Sequence, residues 1–196
     1  MTLEAVVLLG YGGFLAYAFG WRSGRLREVL GSSPWRRPVS AVDAVGETLC
    51  VGGCAGTLLA PVLSITGVVD PVWTGWPVAR GLVGAAGVAL GAAVALGAQR
   101  DLASQFRFGV EASAVLVTSG WFARVRNPFY SGWMLAAAGV AVAVPSVPAA
   151  AGLVLHLVAA EIIVRRVEEP LLLAAYGAAF RRYVERSGRF LPRRGG

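Results

Sequence analysis

Hydrophobic residues gather in five long runs that are separated by more polar segments. The runs are Leu3–Trp21, Ala41–Val69, Val78–Ala98, Phe129–Val144 and Val147–Val164. A transmembrane helix needs about 20 mostly apolar residues, and each run approaches or exceeds that length. In the second run Asp43 and Glu47 fall in the first turns, so its hydrophobic part begins near Leu49. The segment 145–148 contains two prolines and predicts a tight turn, which makes the last two helices a hairpin.

The composition agrees with a membrane location. Of the 196 residues 56% are hydrophobic and 15% are charged, whereas soluble domains carry about 25% charged residues. This balance excludes disorder and disfavours an ordinary water-soluble domain. We therefore predict an all-α integral membrane protein with about five transmembrane helices, of which the last two form a hairpin.

The basic residues predict the orientation of these helices. All 18 are arginines and the net charge is +7. They cluster between runs one and two, between runs three and four, and after run five, while only Arg80 lies on the opposite side, near Trp73 and Trp76. Because positive charge gathers in cytoplasmic loops, the N-terminus is expected outside and the C-terminus in the cytoplasm. Clustering in loops between apolar runs also disfavours a nucleic-acid partner.

The spacing of glycines in the third run predicts close packing of helices. Gly81, Gly84, Gly87 and Gly91 recur on one helix stripe, which lets another backbone approach closely, either within the bundle or in a dimer. Cys50 and Cys54 have no partner at metal-ligand spacing, so no metal site is predicted.

The source and the N-terminus refine the expected location. Met1–Glu4 lacks the positive leader of a signal peptide, so the first run is expected to be retained as a span. The absence of lysine beside abundant alanine, glycine, valine and arginine suggests a GC-rich bacterial coding sequence. The inner membrane of a bacterial cell is therefore the predicted location.

Two polar segments flank the hairpin, at residues 99–128 and 165–196. We divide the chain into three N-terminal transmembrane helices at 1–98 and a second part at 99–196, which combines a cytoplasmic loop, the hairpin and the C-terminal segment and is expected to form the active site. In the last segment one helix face carries an apolar set opposite Arg181 and Glu185. The set comprises Leu172, Tyr176, Phe180 and Tyr183, and it predicts an interfacial helix on the cytoplasmic side.

The motifs in this second part resemble those of a known family. Residues 126–132 read Arg-Asn-Pro-Phe-Tyr-Ser-Gly and open the hairpin, while 168–172 read Glu-Glu-Pro-Leu-Leu. Tyr176-Gly177, Phe180, Tyr183 and the closing Arg-Phe-Leu-Pro of 189–192 follow. This pattern resembles the integral-membrane methyltransferases of the isoprenylcysteine carboxyl methyltransferase and phospholipid methyltransferase group. Asn127 replaces a histidine and Phe180 a tyrosine of that pattern, and an asparagine does not titrate near neutral pH.

The resemblance implies methyl transfer from S-adenosylmethionine to a lipid or lipidated acceptor that arrives from the bilayer at the cytoplasmic face. The acceptor group is a carboxylate, an amine or a hydroxyl. By resemblance, Glu169 or Arg126 orients the acceptor and is the candidate catalytic residue. The implied cofactor contacts are Arg126, Asn127, Tyr130, His156, Glu168, Tyr176, Tyr183 and Arg189.

Several alternatives remain open from the sequence. A membrane-embedded sterol or steroid reductase that uses NADPH, or a non-enzymatic scaffold, fits the same hairpin. His156 lies inside the fifth run and is interpreted equally well as a hydrogen-bond donor between helices. Glu168 and Glu169 can pair with neighbouring arginines, and Glu161 and Arg165 have the spacing of a helix ion pair. The acceptor and the oligomeric state are not predicted.

Overall fold

A computed structural model describes residues 2–30, 38, 40–102 and 115–193. Its α-helices are α1 (Leu3–Leu15), α2 (Arg22–Leu30), α3 (Ala41–Ile65), α4 (Pro77–Leu102), α5 (Pro128–Ala143), α6 (Val147–Ile163) and α7 (Glu169–Arg186). Within these ranges there is no strand, and one isolated bridge pairs Val125 with Gly188.

Five apolar helical stretches confirm the predicted architecture. By length and composition, Leu3–Arg25, Ala41–Ile65, Pro77–Leu102 and Val147–Arg186 are long enough to cross a membrane. The fifth, Pro128–Ala143, has 16 residues and is shorter. Only three residues separate α5 from α6, as a tight hairpin requires. The protein is therefore an all-α membrane protein.

The predicted helix boundaries shift where polar residues continue a helix. A π-helical turn at Ala16–Trp21 joins α1 to α2, so the first arginines lie on a helix and not in a loop. Helix α4 runs to Leu102, one turn beyond the predicted end at Ala98. Helix α3 begins at Ala41 as predicted, capped by the Ser40 hydroxyl, but ends at Ile65, four residues before Val69. Arg36, Arg37 and Arg107 lie outside the described residues.

The glycine stripe packs α4 against α5. A methyl group on Gly91 would lie 2.4 Å from the backbone nitrogen of Ala136, and one on Gly84 would lie 2.5 Å from the carbonyl oxygen of Gly139. Only glycine allows such close backbone contact, so this part of the stripe serves packing inside the bundle. Gly81 faces Leu3 of α1 instead.

A second glycine contact packs α3 against α6. A methyl group on Gly56 would lie 3.0 Å from the Cα atom of Gly152. Through these glycine contacts, α5 packs most extensively on α4, and α6 packs most extensively on α3. The two hairpin helices, α5 and α6, contact each other less. Helix α1 lies against both pairs. Phe19, in the π-helical turn that follows α1, lies 5.0 Å from Trp133 between ring centroids.

Arg80 closes the end of the bundle that holds the hairpin turn. Its side chain is buried and donates to the carbonyl oxygen of Ala143 at 3.3 Å and to that of Trp73. A cation at the C-terminal end of α5 is favourable because the last carbonyl groups of a helix carry partial negative charge. Trp73 and Trp76 pack edge to face beside it, with ring centroids 6.2 Å apart.

The last helix changes geometry twice before it ends. A π-helical turn at Val164–Glu168 carries α6 directly into α7, and Pro170 follows it. Proline lacks the N–H group that a helix interior uses, and Pro170 lies in the first turn of α7, where a proline is tolerated. At Gly177 the backbone has φ +48°, which breaks the predicted continuous amphipathic face. Leu172 and Tyr176 on one side of the break are half-buried, whereas Phe180 and Tyr183 on the other are buried.

Candidate active site

The open ends of the hairpin bring the two sequence motifs together. Arg126 precedes α5, and Glu169 follows the π turn after α6. Nη2 of Arg126 lies 3.2 Å from Oε1 of Glu169, and the Tyr130 hydroxyl donates to Oε1 of Glu168 at 2.9 Å. The sequence places these residues about 40 positions apart, and the antiparallel helices bring them into contact.

The chain after α7 returns to the same place. The backbone N–H of Arg126 donates to the carbonyl of Gly188 at 2.8 Å, and that of Asn127 to the carbonyl of Arg189 at 3.1 Å. This short bridge positions the Arg189 side chain, whose Nε and Nη2 donate to the two oxygens of Glu169 at 2.9 and 2.8 Å. Such a two-point guanidinium–carboxylate contact fixes orientation as well as distance.

We call the five residues with these contacts the hairpin-mouth cluster: Arg126, Tyr130, Glu168, Glu169 and Arg189. Glu168 and Glu169 are adjacent in sequence but turn toward different partners, because successive residues of a helix point about 100° apart. Glu168 therefore contacts Tyr130 of α5, while Glu169 accepts from both arginines. The hydrogen bonds and charge of Glu169 raise the pKa of the Arg189 guanidinium above its ordinary value, which keeps this side chain cationic.

Arg126 is more enclosed than Glu169 and Arg189. Its side chain is 8% exposed, and Nη1 donates to the carbonyl oxygens of Val184, at 3.3 Å, and of Ser187. Its Nε atom is buried and, within the described residues, has no hydrogen-bond partner. One donor of this guanidinium is therefore unused.

Asn127 and the tyrosines have separate roles in the geometry. The Asn127 amide donates to the carbonyl of Arg189 at 3.2 Å, so it holds the returning chain. Tyr183 is buried, and its hydroxyl donates to the carbonyl of Phe122 at 2.6 Å. Tyr176 is half-buried and directly precedes the backbone break at Gly177.

His156 lies elsewhere. It precedes Glu168 by twelve residues, which is about 18 Å of helix at 1.5 Å per residue. Nδ1 of His156 is 2.8 Å from the carbonyl oxygen of Gly152, and Nε2 is 3.5 Å from the hydroxyl of Tyr11. Because a carbonyl oxygen only accepts, Nδ1 is the donor and Nε2 is the acceptor in the neutral ring. The structure thus gives His156 the helix-bridging contacts that were one of its two interpretations.

The Tyr11 hydroxyl is the centre of these contacts. It accepts from the Trp133 indole at 3.1 Å and lies 3.1 Å from the Thr57 hydroxyl. We call Tyr11, Thr57, Trp133 and His156 the buried network. Its members come from α1, α3, α5 and α6, so it ties the α4–α5 and α3–α6 pairs together.

Two serines of the site were not predicted. The Ser131 hydroxyl donates to the carbonyl of Phe190 at 2.6 Å, and the Ser187 hydroxyl donates to the carbonyl of Tyr183. Ser131 lies within the motif that opens the hairpin, but its contact exists only after the chain returns from α7. Ser187 carries no sequence signal of its own.

Comparison with known proteins identifies a family. The family model for phospholipid methyltransferases matches residues 79–179, just over half of the chain. No curated protein matches. The helical architecture and the family match define the class of protein as an integral-membrane methyltransferase.

The chain belongs to the phospholipid methyltransferase family, which is of the isoprenylcysteine carboxyl methyltransferase type. The matched region includes Arg126, Tyr130, Glu168 and Glu169 and ends before Tyr183 and Arg189. The predicted family is therefore confirmed, while the roles of individual residues stay predictions.

Proposed function

We propose that this protein transfers a methyl group from S-adenosylmethionine to a lipophilic acceptor at the cytoplasmic face of the membrane. The observation that carries the proposal is the hairpin-mouth cluster, in which two acidic and two basic side chains converge at one end of a membrane helix pair. A polar donor and an apolar acceptor can both reach a site at such a boundary.

The residues present fit the amino-acid end of the proposed donor. Arg126 has an unused, buried donor atom at Nε, which suits a carboxylate. Glu168 is an acidic partner for an ammonium group or for ribose hydroxyls, and the Tyr130 hydroxyl holds its carboxylate in place. S-adenosylmethionine supplies the chemistry as a sulfonium-bound methyl group. The protein has to align the donor with the acceptor and exclude water.

The remaining cluster residues shape this site. We assign Glu169 a positioning role, because both of its oxygens already accept from guanidinium groups. Arg189 and Asn127 hold the returning chain against the start of α5. Tyr176 and Tyr183 stay candidate donor contacts, and we assign His156 to helix packing instead.

Apolar surface beside the cluster favours a lipophilic acceptor. Leu171 and Leu173 lie two to four residues after Glu169 on α7 and are 37% and 42% exposed. Exposed leucines next to paired charges are what a lipid-facing entrance to a polar site would present. The acceptor group, whether carboxylate, amine or hydroxyl, is to be identified by supplying extracted membrane lipids together with labelled donor.

Binding measurements test the proposal directly. Purified protein is expected to bind S-adenosylmethionine and its demethylated product, S-adenosylhomocysteine, and not to bind NADPH measurably. Arg126→Ala and Glu168→Ala should each weaken donor binding by about ten- to a hundredfold, since each removes a charge-assisted hydrogen bond. Arg165→Ala is the control, because Arg165 is exposed and pairs with Glu161.

The possible outcomes separate the site from the reaction. Folded Arg126→Ala and Glu168→Ala variants that bind the donor as tightly as the parent would contradict the assigned site. A parent that binds NADPH in preference to S-adenosylmethionine would instead contradict the reaction and place the protein with the reductases.

The proposed orientation has its own test. Arg181 is exposed on α7, and Val72 is exposed at the opposite end of the bundle, beside Pro145. A cysteine at Arg181→Cys should react with a membrane-impermeant thiol reagent only after cells are opened, and one at Val72→Cys should react in intact cells. The reverse pattern would invert the topology.

A further inference from the structure

A second set of buried polar atoms lies where α2 begins and α4 ends. Gln99 has no exposed surface and Ser23 is 6% exposed. Across the residues that the structure describes, Oε1 and Nε2 of Gln99 and Oγ of Ser23 have no hydrogen-bond partner. Each such atom destabilises the fold, because it loses hydrogen bonds to water and gains none in return. A ligand that supplies the missing partners would remove this cost.

The packing of α4 on α5 places Gln99 beside the proposed site. A methyl group on Gly132 would lie 2.5 Å from the backbone nitrogen of Ala95. Gln99 is one turn beyond Ala95 on the same face of α4, and Pro128 is one turn before Gly132 on α5. Because the two helices are antiparallel, Gln99 lies level with the first turn of α5. That turn directly follows Arg126 and Asn127.

The start of α2 meets the same place. Nη2 of Arg22 donates to the backbone carbonyl of Gln99 at 2.6 Å, and Ser23 is the next residue. The π-helical turn Ala16–Trp21 ends at Arg22, and π turns within α-helices occur frequently at functional sites. The Arg22 contact therefore joins the start of α2, which includes Ser23, to the end of α4 at Gln99.

The chemistry of these side chains limits what they can bind. A glutamine amide presents two N–H donors and an acceptor oxygen side by side, and a serine hydroxyl both donates and accepts. An ammonium group offers only donors, and a fully ionised phosphate offers only acceptors. The complementary ligand group carries a donor and an acceptor on one edge, as an amide does, or as the amino group and ring nitrogen of adenine do.

We propose that Gln99 and Ser23 form a second polar subsite of the methyltransferase site, which hydrogen-bonds a ligand edge with an adjacent donor and acceptor. This inference rests on the proposed function. Two sources supply such an edge: the adenine of the methyl donor, or an amide or hydroxyl-bearing headgroup of the lipid acceptor.

The test compares Gln99→Leu and Ser23→Ala with the parent in binding, transfer and thermal unfolding. S-adenosylhomocysteine is titrated against the purified proteins, and extracted membrane lipids are titrated in the transfer assay. Gln99→Leu should weaken one of these two interactions about tenfold, and Ser23→Ala should weaken the same one less. The unfolding temperature of Gln99→Leu should equal or exceed that of the parent, because the substitution removes two unpartnered buried atoms.

Thr57→Val is the matched control. The Thr57 hydroxyl is also fully buried, but it donates to the carbonyl of Gly53 at 2.8 Å. Its removal should lower the unfolding temperature and leave both titrations unchanged.

The outcomes are distinct. Weakened binding of S-adenosylhomocysteine assigns the subsite to adenine, whereas a raised half-saturating lipid concentration alone assigns it to the acceptor headgroup. If Gln99→Leu leaves both unchanged, whatever its unfolding temperature, the subsite is refuted and water or packing accounts for these atoms. A parent that binds no S-adenosylhomocysteine contradicts the proposed function, and the subsite with it.

Discussion

The hairpin-mouth cluster and the buried network are two polar clusters of one bundle, and they are built from different chemistry. The hairpin-mouth cluster carries full charges. The side chains of Arg126, Glu169 and Arg189 are between 8% and 25% exposed. The buried network joins two hydroxyls, an indole and an imidazole, all at most 5% exposed. Charge therefore lies at the end of the helices, and neutral polar groups lie between them.

The difference follows from the cost of removing each kind of group from water. A buried charge is costly unless an opposite charge and further hydrogen bonds compensate it. Glu169 meets that condition with two guanidinium groups. A neutral hydroxyl or ring nitrogen needs only one or two hydrogen bonds, so it can tie helices together within the membrane. We infer that the charged cluster serves binding and the neutral network serves architecture.

Substitution of Glu169 is the most severe test of this comparison. Glu169→Gln keeps the shape of the side chain but leaves Arg126 and Arg189 without their shared countercharge. Breaking a buried pair on one side typically costs about 3 kcal/mol, so the unfolding temperature of the purified protein should fall strongly. Glu161→Gln is the control, because the Glu161–Arg165 pair is exposed and should contribute less than about 1 kcal/mol. If Glu169→Gln and Glu161→Gln lower the unfolding temperature equally, Glu169 does not stabilise the hairpin-mouth cluster as proposed.

Tyr11 provides the corresponding test of the buried network. Tyr11→Phe removes the oxygen that accepts from the Trp133 indole and that faces Nε2 of His156. The groups left unpaired should lower stability by about 1–3 kcal/mol, with no change in affinity for S-adenosylhomocysteine. Thermal unfolding and ligand titration of the same sample separate the two quantities. Tyr17→Phe is the control, because this half-buried ring stacks on Trp21, and it should change neither stability nor affinity. A loss of affinity in Tyr11→Phe would show that the buried network belongs to the binding site.

The helices and the convergence of the motifs were predictable from the sequence. Apolar runs of span length fixed five helices, and the proline turn at 145–148 fixed the hairpin. An antiparallel pair returns Glu168 and Glu169 to the end where Arg126 lies. In the structure Arg126 contacts Glu169, and Tyr130 contacts Glu168. The stripe with Gly84 and Gly91 predicted a close helix approach, either within the bundle or in a dimer, and the structure shows the approach within the bundle.

Long-range backbone contacts were not predictable. The bridge between Val125 and Gly188 joins segments with no periodic pattern, so nothing local indicates that the chain returns after α7. The break at Gly177 depends on a positive φ that glycine permits but does not require. For His156 the sequence predicted depth in the membrane but not its neighbours, which α1 and α3 supply from distant parts of the chain.

A smaller effect, on donor affinity, is expected for a substitution of Tyr130 in the hairpin-mouth cluster. Tyr130→Phe keeps the ring and removes the hydroxyl that donates to Glu168. Glu168 would then be less well oriented, and donor affinity should fall about fivefold, the value of one neutral or weakly charge-assisted hydrogen bond. Stability should change little, because the site is partly open to water. If Tyr130→Phe binds S-adenosylhomocysteine as tightly as the parent, the hydrogen bond from Tyr130 does not orient Glu168 for contact with the methyl donor.

A substitution of His156 decides between the two interpretations of this residue and is expected to leave donor affinity nearly unchanged. His156→Gln keeps a side chain that both donates and accepts, so the contacts to Gly152 and Tyr11 can be partly replaced. Stability should fall by about 1 kcal/mol, while affinity for S-adenosylhomocysteine should stay within about twofold, since the ring lies about 18 Å along the helix from Glu168. Thermal unfolding and calorimetric titration measure the two quantities. If donor affinity falls with stability unchanged, His156 is a cofactor contact, and the separation between the charged cluster and the neutral network does not hold.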